Sequence, residues 1–206
     1  MPIDRYRLFR ESEYMIRHVG DRAKSICVHP IADDTTVRMI ADRCPSIESI
    51  SLRECVRISP ASLLYLIHAC KHLKLIDLTF CSAVSASMIK EMGQSCPNLV
   101  GLNLGRLQVT EEMARKMGKF MRKLKWLNLN NATISSRDVC NILDSCNELH
   151  HVSLRWCHQL IMNDELHNRV SSIAEFVYSP LPICRVPSPE LSRYPIFYPT
   201  NLFPVE

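Results

Sequence analysis

The chain has 206 residues, 47% of them hydrophobic and 22% charged, with a formal net charge of +4. These values suit a globular chain of one domain plus a tail. They exclude a collagen-like or low-complexity chain, and five glycines leave little room for a glycine-rich nucleotide loop. No apolar run approaches the roughly 20 residues that a bilayer span needs, and the start, MPIDRYRLFRESEY, lacks the apolar centre of a secretion signal.

Residues 1–20 are expected to contain a helix, YRLFRESEYMIRHVG, that covers one end of the domain. The next segment, KSICVHPIADDTTVRMIADRC, is a weak copy of a repeat that recurs down the chain. In it Ile26 is placed one period before Leu52, Lys24 stands at a normally apolar strand position, and Val37 and Ile40 share a helix face.

Four stronger copies then begin at Cys44, Cys70, Cys96 and Met121, and a fifth begins at Cys146 and fades. The periods are 26, 26, 25 and 25 residues. The shared pattern is C-x-x-L-x-x-L-x-L-x-x-C-x-x-I with a helical stretch after it. L-x-L has the two-residue period of a strand. Leu63 with Leu66, Met88 with Met92, Met113 with Met117 and Val139 with Ile142 have the spacing of one helix face. Ser59-Pro60 and Thr110-Glu-Glu mark helix starts. Each copy is therefore one strand and one helix, and such units stack because none can bury its apolar face alone.

The periodic pattern dissolves after about Leu166, and seven of the 12 prolines fall between Pro180 and Pro204. Residues 168–206 are expected to be an extended or partly disordered tail, since proline removes backbone donors.

Ten cysteines without a CxxC follow the repeat rather than a zinc spacing. Cys55, Cys81 and Cys157 end strands, and Cys44, Cys70, Cys96 and Cys146 end helices, where a small apolar group suffices. Neither a metal nor a cofactor is expected, although His150, His151 and His158 lie near Cys157 in sequence. No nucleotide loop, nucleophile elbow or convergent carboxylate pair is present, so enzymatic activity is not expected.

The pattern over residues 44–160 resembles the leucine-rich repeat family, in its cysteine-containing subclass. That resemblance implies a right-handed α/β solenoid of about five to six repeats over residues 21–167, with a parallel sheet on the concave side and helices outside. The subclass is typical of F-box/leucine-rich-repeat proteins, whose repeats recruit substrates while an F-box docks the adaptor of a Skp–cullin–F-box ubiquitin ligase. It thus implies substrate recognition in cytoplasm or nucleus, although residues 1–20 show no F-box pattern. A ligase-independent adaptor is the alternative. An RNA or acidic-surface binder using the basic 115–125 segment is a minor one.

Strand alternation sends residues between the core leucines to the concave face, in columns. The columns read Ser49, Leu75, Gly101, Trp126, His151, then Ser51, Asp77, Asn103, Asn128, Ser153, then Arg53, Thr79, Gly105, Asn130, Arg155, and at the strand ends Glu54, Phe80, Arg106, Asn131, Trp156. Candidate partner-binding residues are Phe80, Arg106, Trp126, Asn128, His151, Arg155 and Trp156, because aromatic residues and arginine are the usual anchors of interfaces. Trp126 and Arg155 are expected to be exposed. Phe80 and Trp156 could instead cover the edge of the core. The expected partner is a protein, with no membrane contact.

Overall fold

The computed structural model describes residues 20–181. It contains β1 (Ser25–Cys27), α1 (Asp34–Arg43), β2 (Ser49–Ser51), α2 (Pro60–Ala69), β3 (Leu75–Asp77), α3 (Ala86–Ser95), β4 (Gly101–Asn103), α4 (Glu111–Phe120), β5 (Trp126–Asn128), α5 (Ser136–Ser145), β6 (His151–Arg155), α6 (Asp164–Val170) and β7 (Glu175–Ser179). All seven strands are parallel in one sheet, in sequence order. The architecture is a repeat solenoid of strand–helix units. Its curvature has a geometric cause: neighbouring strands sit about 4.8 Å apart, whereas packed helices need about 8–10 Å, so the sheet lines the inside of the arc.

The helices begin as the sequence predicts. Ser59 Oγ accepts the Ser62 N–H and Thr110 Oγ1 accepts the Met113 N–H, each at 3.3 Å. Asp33, Ser85, Ser135 and Asn163 cap the other starts in the same way. At the far ends the N–H groups of Cys44, Cys70, Cys96, Met121 and Cys146 close the last turns onto carbonyls four residues back.

The core forms continuous rows. Ile50, Ile76, Leu102, Leu127 and Val152 pair in register, and Leu52, Leu78, Leu104, Leu129 and Leu154 form a second buried row. The first copy enters in a different register from the one its spacing suggests. Ile26 pairs with Ile50, not Leu52, and Val28 takes the place beside Leu52. This connection is two residues shorter, so Lys24 aligns with Glu48, to which its ammonium is bonded at 3.1 Å.

The repeat geometry also runs past the expected boundary at 167. α6 crosses it, and β7 pairs with β6 over five residues. Phe176 and Tyr178 stand opposite the core residues Val152 and Leu154 and stack with ring centroids 6.4 Å apart. Strand pairing and burial of these rings outweigh the weak sequence signal here. The expected helix in 1–20 and the proline-rich part from 182 onward lie outside the described residues, and Gly20–Arg22 form a short 3-10 turn.

Candidate interaction surface

The face of the sheet opposite the helices carries the predicted columns, and the register confirms their alignment. Ser49, Leu75, Gly101, Trp126 and His151 are lateral neighbours, with Glu175 added by β7. Leu75 leans over Gly101. A Cβ on Gly101 would lie 2.3 Å from Leu75 Cδ2, with the Trp126 ring at 3.8 Å on the other side. The missing side chain thus makes room for its two large neighbours. Trp126 is half-buried rather than exposed, because it lies along the sheet and stacks on His151 at 5.5 Å between centroids. His151 Nδ1 sits 2.8 Å from Glu175 Oε2. Trp126, His151 and Glu175 form one linked row.

The second column is not a contact surface. Asp77, Asn103, Asn128 and Ser153 are buried. Asn128 Oδ1 accepts the Asn130 N–H at 2.8 Å, Asn103 Oδ1 accepts that of Gly105 at 3.0 Å, and Asp77 Oδ1 accepts that of Thr79 at 2.9 Å. These short polar side chains bond the backbone two residues on, as Asx turns do. Asn128 is therefore a turn-building residue, in contrast to the expectation from alternation.

The turn explains the fourth column. Glu54, Phe80, Arg106, Asn131 and Trp156 all have left-handed backbones, with φ between 53° and 61°. Each donates its N–H to a carbonyl of the following repeat: Glu54 to Thr79, Phe80 to Gly105, Arg106 to Asn130, Asn131 to Arg155 and Trp156 to Ser179. A left-handed residue with a Cβ costs roughly 1–2 kcal/mol, and the stacked hydrogen bonds offset that strain. The side chains point to the rim of the arc. Phe80 is 44% exposed and Trp156 38%. The Arg106 guanidinium lies 4.7 Å from the Phe80 ring centroid and pairs with Glu54 at 3.2 Å, two repeats away. Arg155 is exposed, and its own N–H is held by Asn130 Oδ1 at 2.7 Å.

Asn128 apart, the structure thus divides the predicted residues into two groups. Trp126 and His151 lie on the sheet face. Phe80, Arg106 and Trp156 stand on the rim, with Arg155 beside them. Sequence reasoning placed Glu54 in the fourth column without singling it out and missed Glu175; these are the carboxylates that hold Arg106 and His151. Glu175 lies 24 residues after its register partner His151, a spacing that a slightly shortened repeat would have revealed.

The cysteines remain tied to packing. Cys70 Sγ lies 3.8 Å from the Cys44 carbonyl and Cys81 Sγ 3.7 Å from that of Cys55, so thiols donate weakly between stacked repeats. Burial pushes the thiols of Cys55 and Cys70 up to about 12, and those of Cys96, Cys146 and Cys157 up to about 11. Such thiols stay protonated at neutral pH and are poor nucleophiles. Among the described residues no cluster of three or more His, Cys, Asp or Glu is placed to hold a metal ion. No described helix is long and apolar enough to cross a membrane. In the basic segment Arg115 lies 3.9 Å from Glu112, and Lys116 and Lys119 lie over Phe120.

The solenoid and its open sheet face have counterparts among known proteins. The homologues are F-box/leucine-rich-repeat proteins. The chain is 25% identical over 177 residues to putative F-box/LRR-repeat protein 23 of Arabidopsis thaliana, covering 81% of this chain and 39% of that protein. It is 24% identical to F-box protein SKIP1 of the same plant, over 74% of this chain and 53% of that one. F-box protein SKIP19 is 27% identical, over 82% and 57%. The chain spans about half the length of these relatives. No family model matches the sequence. Among solved structures, the yeast Rad7 and Elc1 complex has a chain that superposes with a TM-score of 0.64 at 15% identity, covering 87% of this chain and 43% of that one. The tropomodulin C-terminal domain of Caenorhabditis elegans gives 0.50 at 13% identity, covering 68% and 92%. These likenesses establish the repeat-solenoid fold.

Proposed function

We propose that the chain is a non-catalytic substrate-recognition module of a Skp–cullin–F-box type ubiquitin ligase, acting in cytoplasm or nucleus. The observation that carries this reading is the row Trp126–His151–Glu175 on the open sheet face. Core packing on the other side holds that row rigid, so a partner meets it with little ordering cost. The F-box proteins among its relatives supply the ligase context. The seven-strand sheet supplies a continuous platform and leaves the chemistry to whatever is bound. Buried, protonated thiols and side chains committed to turns support a binding role over a catalytic one.

The test is an affinity pull-down with mass spectrometry, using the chain fused to an F-box segment. Wild type is compared with the Trp126→Ala and Arg155→Ala variants. The expected result is recovery of cullin-ligase subunits by all three proteins, together with a set of further proteins that only wild type retains. Those proteins should gain ubiquitin in a reconstituted reaction. Retained partners without ligase-dependent ubiquitination would favour the ligase-independent adaptor. An identical partner set for wild type and variants would refute the face as the binding site.

A further inference from the structure

We propose that the rim bearing Phe80 and Trp156 is a second docking element, which takes an extended protein segment carrying two apolar side chains and a carboxylate. The inference deepens the protein-binding reading above and rests on it. It begins from a backbone constraint. All five rim positions are left-handed, and the bond that requires this conformation is made by the backbone N–H, not the side chain. The fold therefore leaves the side chain free to vary, with a bias toward glycine or asparagine. Asn131 obeys that bias. Phe80 and Trp156 oppose it, and they still leave 44% and 38% of their surface exposed. Large rings that are strained, partly exposed at the rim and not required by their turns are accounted for by contact with another molecule.

The surrounding groups define the partner. Phe80 and Trp156 lie three repeats apart along the rim, about 14 Å at the usual strand spacing. An extended peptide covers that distance in about four residues. Arg106 is already neutralised by Glu54. Arg155, next to Trp156, is exposed and forms no ion pair with any described residue. One uncompensated cation suits a single carboxylate. It is too little charge for a nucleic-acid backbone, whose affinity grows with the number of phosphates neutralised, although aromatic rings and arginine also serve base stacking.

The experiment selects a phage-displayed random dodecapeptide library on the wild-type chain. Selected peptides are then titrated against three variants: Phe80→Asn with Trp156→Asn, Arg155→Glu, and Trp126→Ala. A dodecameric oligouridine is the nucleic-acid probe. The expected peptides carry an acidic residue beside two apolar ones about four positions apart. The double asparagine variant should bind them at least tenfold more weakly while its melting temperature stays level or rises, because asparagine tolerates the left-handed turn. Arg155→Glu should abolish the acidic preference without altering the melting temperature. A clear fall in melting temperature for the asparagine variant would make the rings structural and overturn the proposal. So would tighter binding of oligouridine, or a failure to enrich any peptide. Peptides insensitive to the rim variants but lost on Trp126→Ala would sink the rim proposal while leaving the protein-binding reading intact.

Discussion

The Trp126 ring lies over the His151 ring with centroids 5.5 Å apart and planes only 14° from parallel. The two residues are 25 positions apart in sequence and directly paired in register. His151 is anchored in turn by Glu175 at 2.8 Å. A side chain that sequence alternation alone sends into solvent is thus held flat against the sheet. Replacing Trp126 by alanine should cost about 1–2 kcal/mol of stability, since half-buried aromatic surface and one stacked pair are lost. Partner affinity should fall at least tenfold. Calorimetric melting together with a binding titration checks both, and a stability loss equal to that of a core leucine would place the ring in the core.

Leu78 and Leu104 occupy the fully buried second row of the core. Alanine at either position should cost about 2–5 kcal/mol, read from urea unfolding. A loss below half a kilocalorie at both would contradict the register.

Gly93 lies in the last turn of α3, within the helix, where alanine ordinarily gains up to about 1 kcal/mol. Here the added Cβ would sit 2.5 Å from the Phe120 carbonyl oxygen and 2.7 Å from Phe120 Cβ. Those are backbone-fixed atoms at the end of α4, so the helices must part. Gly93→Ala should therefore destabilise by about 1–3 kcal/mol. Gly101→Ala meets the tip of a flexible leucine, Leu75, and should cost less. The reverse order would show that the α3–α4 contact yields more easily than the sheet face.

The nine described cysteines are free thiols, and Cys27 is the exposed one among them. Brief treatment with a maleimide under native conditions, mapped by mass spectrometry, should label Cys27 rapidly. Cys55, Cys70 and Cys81 should react only after unfolding, since burial raises their thiols. Rapid native labelling of Cys81 would mean that the turn column opens.

The Ser59 N–H donates to Asp34 Oδ1 at 2.7 Å, and this bond holds the Asp34 carboxyl below the usual aspartate range. Hydrogen bonding to Lys74, then to Lys24, lowers Glu48 likewise. Because both folded values lie below the unfolded ones, their stabilisation is complete above about pH 4–5 and is lost as pH falls through the folded values. Asp34→Asn should lower the melting temperature near neutrality and flatten its decline between about pH 5 and 2. A variant with an unchanged acid limb would show that the Ser59 bond is not what Asp34 contributes.

Spacing alone determines a great deal in this protein. A period of 25 or 26 residues, an L-x-L strand and a Ser or Thr before each of several helices specify strand–helix units. Their stacking arises because each unit has one apolar face and no core of its own. The lateral columns were legible for the same reason: parallel pairing in constant register carries every residue onto its counterpart one period away. Tertiary structure decided what those columns do. Whether Asn128 meets a partner or bonds the Asn130 N–H depends on the turn after it. That turn requires a left-handed residue, which Phe80 and Trp156 do not announce. Ile26 found its register through strand pairing with Ile50 rather than through the repeat length. β7 formed because Phe176 and Tyr178 could extend the apolar rows of β6, in a stretch where the periodic pattern had already faded. Local spacing encodes period and facing direction, whereas left-handed turns, shifted registers and side chains that bond their own backbone are settled by the neighbouring repeats.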